Sequence, residues 1–205
     1  MKPSYKFYRV CFRLARAAIG IFYRIRVTGG ENIPATGALI CANHSSNIDP
    51  FLIAFAFGID NHMHIIAKIE LFRIPVISQI LKKLGMISVD RGMLDISTIK
   101  KTYRYFDGGE KVVIFPEGTR LPAVITDENN GVSVKSGAVK LAERRGVAVV
   151  PVYLPRKKPL FKRVPIVIGD AYNIPKTDKK RTAAEYELLA EEMMLKIESL
   201  GELCS

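Results

Sequence analysis

The stretch ALICANHSSNIDPFLIAFAFG, residues 38–58, changes character twice. An apolar run over 38–42 is followed by the polar segment 43–49, after which Pro50 opens a second apolar run that ends at Gly58. The first run has the length of a strand buried on both faces, whereas Pro near the start and Gly at the end are typical of a helix. The stretch therefore predicts a strand, a polar loop at its carboxyl end, and a helix.

The same alternation continues along the whole chain of 205 residues. Further strands are predicted over 64–68, 86–89, 111–115, 147–154 and 164–169. Helices are predicted over 50–58, 75–84, 94–106, 135–145 and 182–200. This order predicts an α/β domain with a largely parallel or mixed sheet flanked by helices. Ligands of such sheets bind at the carboxyl ends of the strands, which is where the polar loop lies.

The formal net charge of +11 is concentrated at the amino terminus, where no acidic residue precedes Glu31. Basic residues recur there at helical spacing among apolar and aromatic ones: Lys6, Arg9, Arg13 and Arg16. The pattern predicts an amphipathic helical segment over 1–25 that lies on an anionic membrane surface, ahead of the α/β domain over 26–205. A surface helix that simply docks on the domain is the alternative. No segment approaches the ~18 uncharged apolar residues that a helix needs to span a membrane, so we predict a peripheral or monotopic membrane protein.

His44 and Asp49 form a candidate catalytic pair within the polar loop. In one interpretation Asp49 fixes the tautomer of His44 and leaves the other ring nitrogen free as a general base. In the other, Asp49 caps the following helix and His44 is an ordinary loop residue. The spacing alone leaves both open. Ser45 and Ser46 lack the G-x-S-x-G turn of serine hydrolases, so an attacking hydroxyl should belong to the substrate.

Several cations follow predicted strands in the same way. In FPEGTR, which begins at Phe115, Gly118 permits close approach to the backbone and Arg120 offers a planar fork for a phosphate. Lys68 and Arg91 also stand at strand ends. A plain surface turn is the alternative for each segment, but together they favour an anionic, phosphorylated substrate.

Other kinds of site and function receive less support. The three cysteines are widely spaced, which argues against a disulfide framework or zinc site and favours a reducing cytoplasm. His62 and His64 alternate at the start of a predicted strand, and we interpret them as strand or surface-loop residues, not metal ligands. No nucleic-acid partner is predicted, because no recognition motif accompanies the basic residues. A non-catalytic protein that binds lipid phosphates remains an alternative.

The ordered segments resemble the glycerolipid acyltransferases, the family typified by 1-acyl-sn-glycerol-3-phosphate acyltransferase. Four blocks match in order: NHSSNID at 43–49, GMISVDR at 85–91, FPEGTR at 115–120 and VVPV at 149–152. The resemblance implies the glycerol-3-phosphate acyltransferase-like α/β fold. It also implies a place on the cytoplasmic face of the cell membrane, in contact with the phospholipid surface.

The resemblance also implies a reaction. His44, helped by Asp49, would deprotonate the sn-2 hydroxyl of lysophosphatidic acid, and the oxygen would attack the thioester of acyl-CoA or acyl-acyl carrier protein without any metal or other cofactor. The product would be phosphatidic acid, for phospholipid synthesis. The residues implied to bind the acceptor phosphate and headgroup are Arg91, Glu117, Gly118, Thr119, Arg120 and Lys68. Because 121–134 is partly apolar where the family has a short polar stretch, glycerol 3-phosphate, another lysophospholipid or a lyso-aminolipid stays open as acceptor.

Overall fold

The computed structural model describes residues 3–89, 96–116, 136–177, 179 and 181–204. Seven strands form one sheet: β1 (Arg24–Thr28), β2 (Ala38–Ala42), β3 (Met63–Lys68), β4 (Ile87–Val89), β5 (Lys111–Ile114), β6 (Ala148–Tyr153) and β7 (Arg163–Ile168). Their order across the sheet is β1-β7-β6-β2-β5-β3-β4. Neighbouring strands are parallel, except that β6 and β7 are antiparallel.

Helices cover both faces of this sheet. They are α1 (Tyr5–Gly20), α2 (Asp49–Phe57), α3 (Pro75–Lys83), α4 (Ile96–Asp107), α5 (Gly137–Arg145) and α6 (Ala183–Ser199), with short 3-10 helices at Gly30–Asn32, Ile69–Arg73 and Leu200–Cys204. Side chains of α4, α5 and α6 pack on one face, and those of α1 and α2 on the other.

The central strand β2 shows why the apolar runs become strands. All five of its residues are buried. Leu39 and Cys41 join the core under α4, α5 and α6, whereas Ile40 joins the core under α1 and α2. Successive side chains of a strand point to opposite faces, so a strand covered on both sides must be apolar at every position.

The predicted α/β fold with a mixed sheet flanked by helices is confirmed. Within the predicted α/β domain each strand and helix is present, with described ends that differ by one residue or none; positions 94, 95 and 135 lie outside the described residues. In its described part, the segment predicted as helical over 1–25 is helical over Tyr5–Gly20 only, and its last two residues, Arg24 and Ile25, belong to β1. The prediction missed β1, whose sequence RIRVT is mostly exposed at the edge of the sheet, where it pairs with β7.

The amino-terminal helix α1 docks on the domain. Tyr8 is buried, and its hydroxyl donates a hydrogen bond to the carbonyl of Asn61. The ring of Phe12 meets that of Phe55 on α2 edge to face, at 5.3 Å between centroids. Within the described part of the chain, no helix has the length and apolar character needed to span a membrane. The domain boundary near residue 25 stays a prediction.

Candidate active site

The polar loop 43–49 leaves the sheet beside two other strand ends. Cys41 of β2 pairs with Ile114 of β5 on one side and with Pro151 of β6 on the other. Because these three strands are parallel, their carboxyl ends open at one edge of the sheet. The segments that follow them therefore emerge side by side, as expected for a ligand site in an α/β fold.

Asn43 anchors the loop to the segment that follows β6. Its side-chain Nδ2 donates to the carbonyl of Leu154, and its Oδ1 accepts from the Leu154 amide, both at 2.8 Å. Asn43 is almost fully buried, so the amide satisfies two backbone groups that would otherwise be left unpaired at this edge. This two-point contact fixes the start of the loop relative to β6.

His44 and Asp49 come together as a hydrogen-bonded pair. Nδ1 of His44 lies 3.0 Å from Oδ2 of Asp49, which also accepts the backbone N–H groups of Ser45 and Ser46 at 2.8 Å. Asp49 is fully buried. Burial alone would raise the pKa of this carboxyl, but the hydrogen bond with His44 and the charge of Lys158 outweigh it and hold the pKa below its ordinary value.

The alternative in which Asp49 caps the next helix is wrong. Asp49 is itself the first residue of α2, Ile48 occupies the N-cap position, and no side chain caps this helix. The Asp49 carboxylate turns back to the loop because Ser45 and Ser46 present their N–H groups there. Its negative charge in the first turn still suits the helix dipole.

Lys158, on the segment after β6, completes the charge pattern around Asp49. Its Nζ lies 2.9 Å from Oδ1 of Asp49, and its side chain is only 3% exposed. It also donates to Oγ of Ser45 at 2.8 Å, and that hydroxyl donates to the carbonyl of Arg156 at 3.2 Å. Lys158 was not among the residues predicted from the sequence. The sequence did contain a signal for it: Lys157 and Lys158 follow the fourth matched block, VVPV, just beyond the carboxyl end of a predicted strand.

The orientation of His44 follows from these contacts. An ionised carboxylate only accepts hydrogen bonds, so Nδ1 carries the proton shared with Asp49, and a neutral ring keeps its lone pair on Nε2. The imidazole stacks on Phe115, with 4.0 Å between ring centroids and 25° between planes. The side chain is 14% exposed. The ring is thus fixed on one side and accessible on the other.

A cavity of about 1080 Å³ opens beside His44. Apolar side chains from several elements line it, among them Phe12, Phe51, Ile65, Leu71 and Met86. Lys68 lines it too, at the carboxyl end of β3. A cavity with mainly apolar walls and a few polar groups suits an amphiphilic ligand with a hydrocarbon part.

Of the residues assigned to acceptor binding, Lys68 alone is placed. Arg91, Glu117, Gly118, Thr119 and Arg120 lie outside the described residues. The last described residues ahead of them lie at the carboxyl ends of β3's two neighbouring strands: Val89 is the final residue of β4, and Pro116 follows β5. His64 lies in β3 and His62 directly precedes it, so their interpretation as residues at a strand start is confirmed, whereas the surface-loop alternative is wrong because both are buried.

Comparison with known proteins identifies the family. A family model described as Acyltransferase matches residues 24–155, well over half of the chain. The chain belongs to the acyltransferase family. A Bacillus subtilis protein named 1-acyl-sn-glycerol-3-phosphate acyltransferase is 33% identical to this acyltransferase over 195 residues, which cover 89% of the chain and 92% of that relative.

Two further similarities have different coverage. A Borreliella burgdorferi protein of the same name is 32% identical over 157 residues, covering 74% of this acyltransferase but 58% of the relative. The crystal structure of the 1-acyl-sn-glycerophosphate (LPA) acyltransferase PlsC from Thermotoga maritima superposes with a TM-score of 0.67 at 25% identity, covering 98% of this acyltransferase and 80% of that chain.

Proposed function

We propose that this acyltransferase moves a fatty acyl group from acyl-CoA or acyl-acyl carrier protein to the sn-2 hydroxyl of lysophosphatidic acid, giving phosphatidic acid for phospholipid synthesis. One observation carries the proposal: His44, held by the buried Asp49, faces an apolar cavity in a chain whose relatives bear the name of this activity. The acceptor and both donors combine an acyl chain with a polar head, which matches a cavity with mainly apolar walls.

The chemistry requires one base and no covalent enzyme intermediate. Nε2 of His44 takes the proton of the sn-2 hydroxyl while that oxygen attacks the thioester carbonyl carbon. The tetrahedral intermediate then collapses, the carbon–sulfur bond breaks, and the imidazolium returns its proton to the departing thiolate. Asp49 keeps the ring in the required tautomer throughout and balances its transient positive charge.

Acceptor binding is assigned to the cations at the same edge. Lys68 lines the same cavity as His44, which supports its assignment to acceptor binding. Arg91 and the segment from Glu117 to Arg120 are proposed to bind the phosphomonoester, because guanidinium groups match phosphate oxygens in pairs. Since 121–134 is partly apolar, the choice of acceptor is the part of the proposal that needs a direct test.

Association with the membrane surface is proposed from α1. The residues that dock on the domain leave an outer face on which Val10 and Leu14 are 53% and 66% exposed. An ordinary surface helix carries polar residues at such positions. Exposed apolar groups flanked by cations fit a helix lying among lipid headgroups on the cytoplasmic, peripheral side of the membrane.

The test is thiol release by the detergent-purified protein, from acyl-CoA and in parallel from acyl-acyl carrier protein. Each donor is combined with lysophosphatidic acid, glycerol 3-phosphate, a lysophospholipid or no acceptor. Release should require lysophosphatidic acid and fall by about 10²- to 10⁴-fold in His44→Ala, because the general base is lost. Leu195→Ala, on the exposed surface of α6 across the sheet, serves as the matched control with unchanged release.

Each outcome has a distinct meaning. Thiol release with another acceptor would leave His44 assigned as the base and would replace lysophosphatidic acid as the acceptor. Full activity in His44→Ala would overturn the assignment of the base. If no combination of donor and acceptor gives thiol release, the non-catalytic lipid-phosphate-binding alternative is favoured.

A further inference from the structure

A second cluster of histidines lies at the opposite end of the sheet. His64 is near the start of β3, where it pairs with Val112, whereas the residues of the proposed active site follow the strand ends. His62 and His64 are both buried, and Glu110, directly before β5, joins them. One potential ligand atom from each residue lies within 4.8 Å of the others. The proposed acyl transfer uses none of the three.

The contacts of His64 require a cation. Its Nδ1 lies 3.1 Å from the carbonyl oxygen of Gly85, which can only accept, so Nδ1 carries a proton. Its Nε2 contacts Oε2 of Glu110 directly. In a neutral ring this Nε2 has only a lone pair, and so does the carboxylate oxygen it faces. The two atoms must therefore share a proton, or both must bind a metal ion, which would hold them somewhat further apart.

The surroundings of His62 favour a metal ion over a shared proton. Its side chain is 2% exposed, and within the described part of the chain its ring has only poorly aligned polar partners, the backbone of Leu84 and Oε2 of Glu110. Nδ1 of His62 lies 3.4 Å from the same Oε2 of Glu110. A proton between His64 and Glu110 would leave the nitrogens of His62 unsatisfied, which is costly for a buried ring. A metal ion would use a lone pair from all three side chains.

We propose that His62, His64 and Glu110 bind a divalent transition-metal ion, with Zn²⁺ as the first candidate. Two imidazoles and one carboxylate are a ligand set that suits zinc. The hydrogen bond from Nδ1 of His64 to Gly85 fixes the tautomer that presents Nε2 to the ion, as the outer partners of metal-bound histidines usually do.

The position of the cluster gives the ion a structural role. The rings of Tyr5 and Tyr8, on the first turn of α1, lie 4.5 and 4.3 Å from that of His62. Gly85 approaches so closely that a Cβ there would lie 2.6 Å from Nδ1 of His64. A metal ion bound here joins β3 to the turn before β5, directly beneath the start of α1, and so stabilises the docking of that helix.

The experiment uses the full chain in detergent, purified without chelators, with metal content measured by elemental analysis. After EDTA treatment the protein is titrated with Zn²⁺ and, separately, with Co²⁺, whose visible spectrum reports an ordered N/O ligand set. We expect one ion per chain, a characteristic Co²⁺ spectrum and a higher Tm with Zn²⁺. Glu110→Gln and His62→Gln should each weaken binding by at least about 10-fold.

His44→Ala is the matched control, because it removes the remaining histidine of the chain at the other end of the sheet. It should bind Zn²⁺ and Co²⁺ as tightly as the original protein. The proposal is overturned if the original protein binds neither ion more tightly than Glu110→Gln does. It is also overturned if Zn²⁺ raises the Tm of the original protein and the Tm of Glu110→Gln by the same amount. Either result would assign the contact between His64 and Glu110 to an imidazolium–carboxylate pair.

Discussion

Asp49 carries an unusual number of partners for one carboxylate. His44, the amides of Ser45 and Ser46, and the ammonium of Lys158 all converge on it in a buried position. A buried charge is tolerated when it is paired and hydrogen-bonded on every side, and it becomes costly when one partner is removed. The loop geometry that orients His44 therefore depends on Lys158, although its contacts within the described part of the chain are with Asp49 and Ser45, not with the imidazole.

Replacing Lys158 with Met should destabilise the protein by about 3 kcal/mol, because Oδ1 of Asp49 loses its ion pair in a buried site. For a chain of this length the loss corresponds to a Tm lowered by about 6–12 °C. Thermal unfolding followed by circular dichroism measures it. Lys157→Met is the matched control, since Lys157 is exposed and its replacement should change stability by less than about 0.5 kcal/mol. Equal Tm values for the two variants would contradict the role given to Lys158.

The ionisation of Asp49 predicts a pH dependence of stability. Its folded-state pKa is below the ordinary value, so its ionised form stabilises the fold above about pH 4, and this contribution is lost as the pH falls through the folded pKa. Asp49→Asn cannot ionise. The difference in Tm between the original protein and Asp49→Asn should therefore be largest near pH 7 and narrow at pH 3.5. A difference that stays constant over this range would argue against an ionised Asp49.

Individual residues differ in how well the sequence predicts them. His44 and Asp49 are separated by one short loop, so contact between them was one of the two interpretations of their spacing, and the contact is present. Lys158 reaches Asp49 across more than a hundred positions, and Glu110 reaches His64 across 46. Such contacts depend on which strands are neighbours in the sheet. Local spacing carries no information about them.

Among the elements, α1 combines two properties that the sequence analysis treated as alternatives. Its inner face carries Tyr8 and Phe12, which pack on the domain. Its outer face carries Val10 and Leu14, and Arg9 at the side pairs with Asp60 at 2.5 Å. A docked helix can thus still present apolar groups to a membrane. Docking is observed, and membrane binding remains the proposal.

Leu14→Asp should weaken binding to anionic phospholipid vesicles by at least about 10-fold, since burying a leucine in the headgroup region contributes about 1.5–3 kcal/mol. Vesicle sedimentation at low salt measures this. The matched control is Leu195→Asp: Leu195 is 70% exposed, but it lies on α6, across the sheet from α1. Vesicle binding that drops equally in both variants, or in neither, would contradict the assignment of the membrane face to α1.

The strands follow the same physical logic as the helices. Strands covered on both faces are apolar along most or all of their length, so β2, β5 and β6 were predicted from their composition, although β5 begins at Lys111. At the edge, β1 has the sequence RIRVT and is mostly exposed, so burial imposes no apolar run that could have revealed it. The antiparallel pairing of β6 with β7 depends on the path of the chain between them, which composition does not specify.

For the whole molecule, α1 connects the two ends of the sheet. Its first turn covers His62, and its middle, with Phe12 and Ala15, lines the cavity beside His44. Residues 1–25 therefore contribute to the packing of the domain and to the cavity, in addition to the membrane binding proposed for them. Removing them would open the cavity and expose the histidine cluster, as well as removing the proposed membrane face.

Deletion of residues 1–22, which removes α1 and leaves β1 intact, should consequently lower the stability of the remaining chain. Loss of a buried aromatic side chain such as Tyr8 costs about 3–5 kcal/mol, and each kcal/mol lowers the Tm of a chain of this size by about 2–4 °C. The fragment 23–205 should thus unfold at least about 6 °C below the full chain in the same detergent. Leu14→Asp, which changes only an exposed position, should keep the Tm of the full chain while losing vesicle binding. A fragment as stable as the full chain would mean that α1 contributes only membrane binding, and the docked arrangement would then be incidental to the fold.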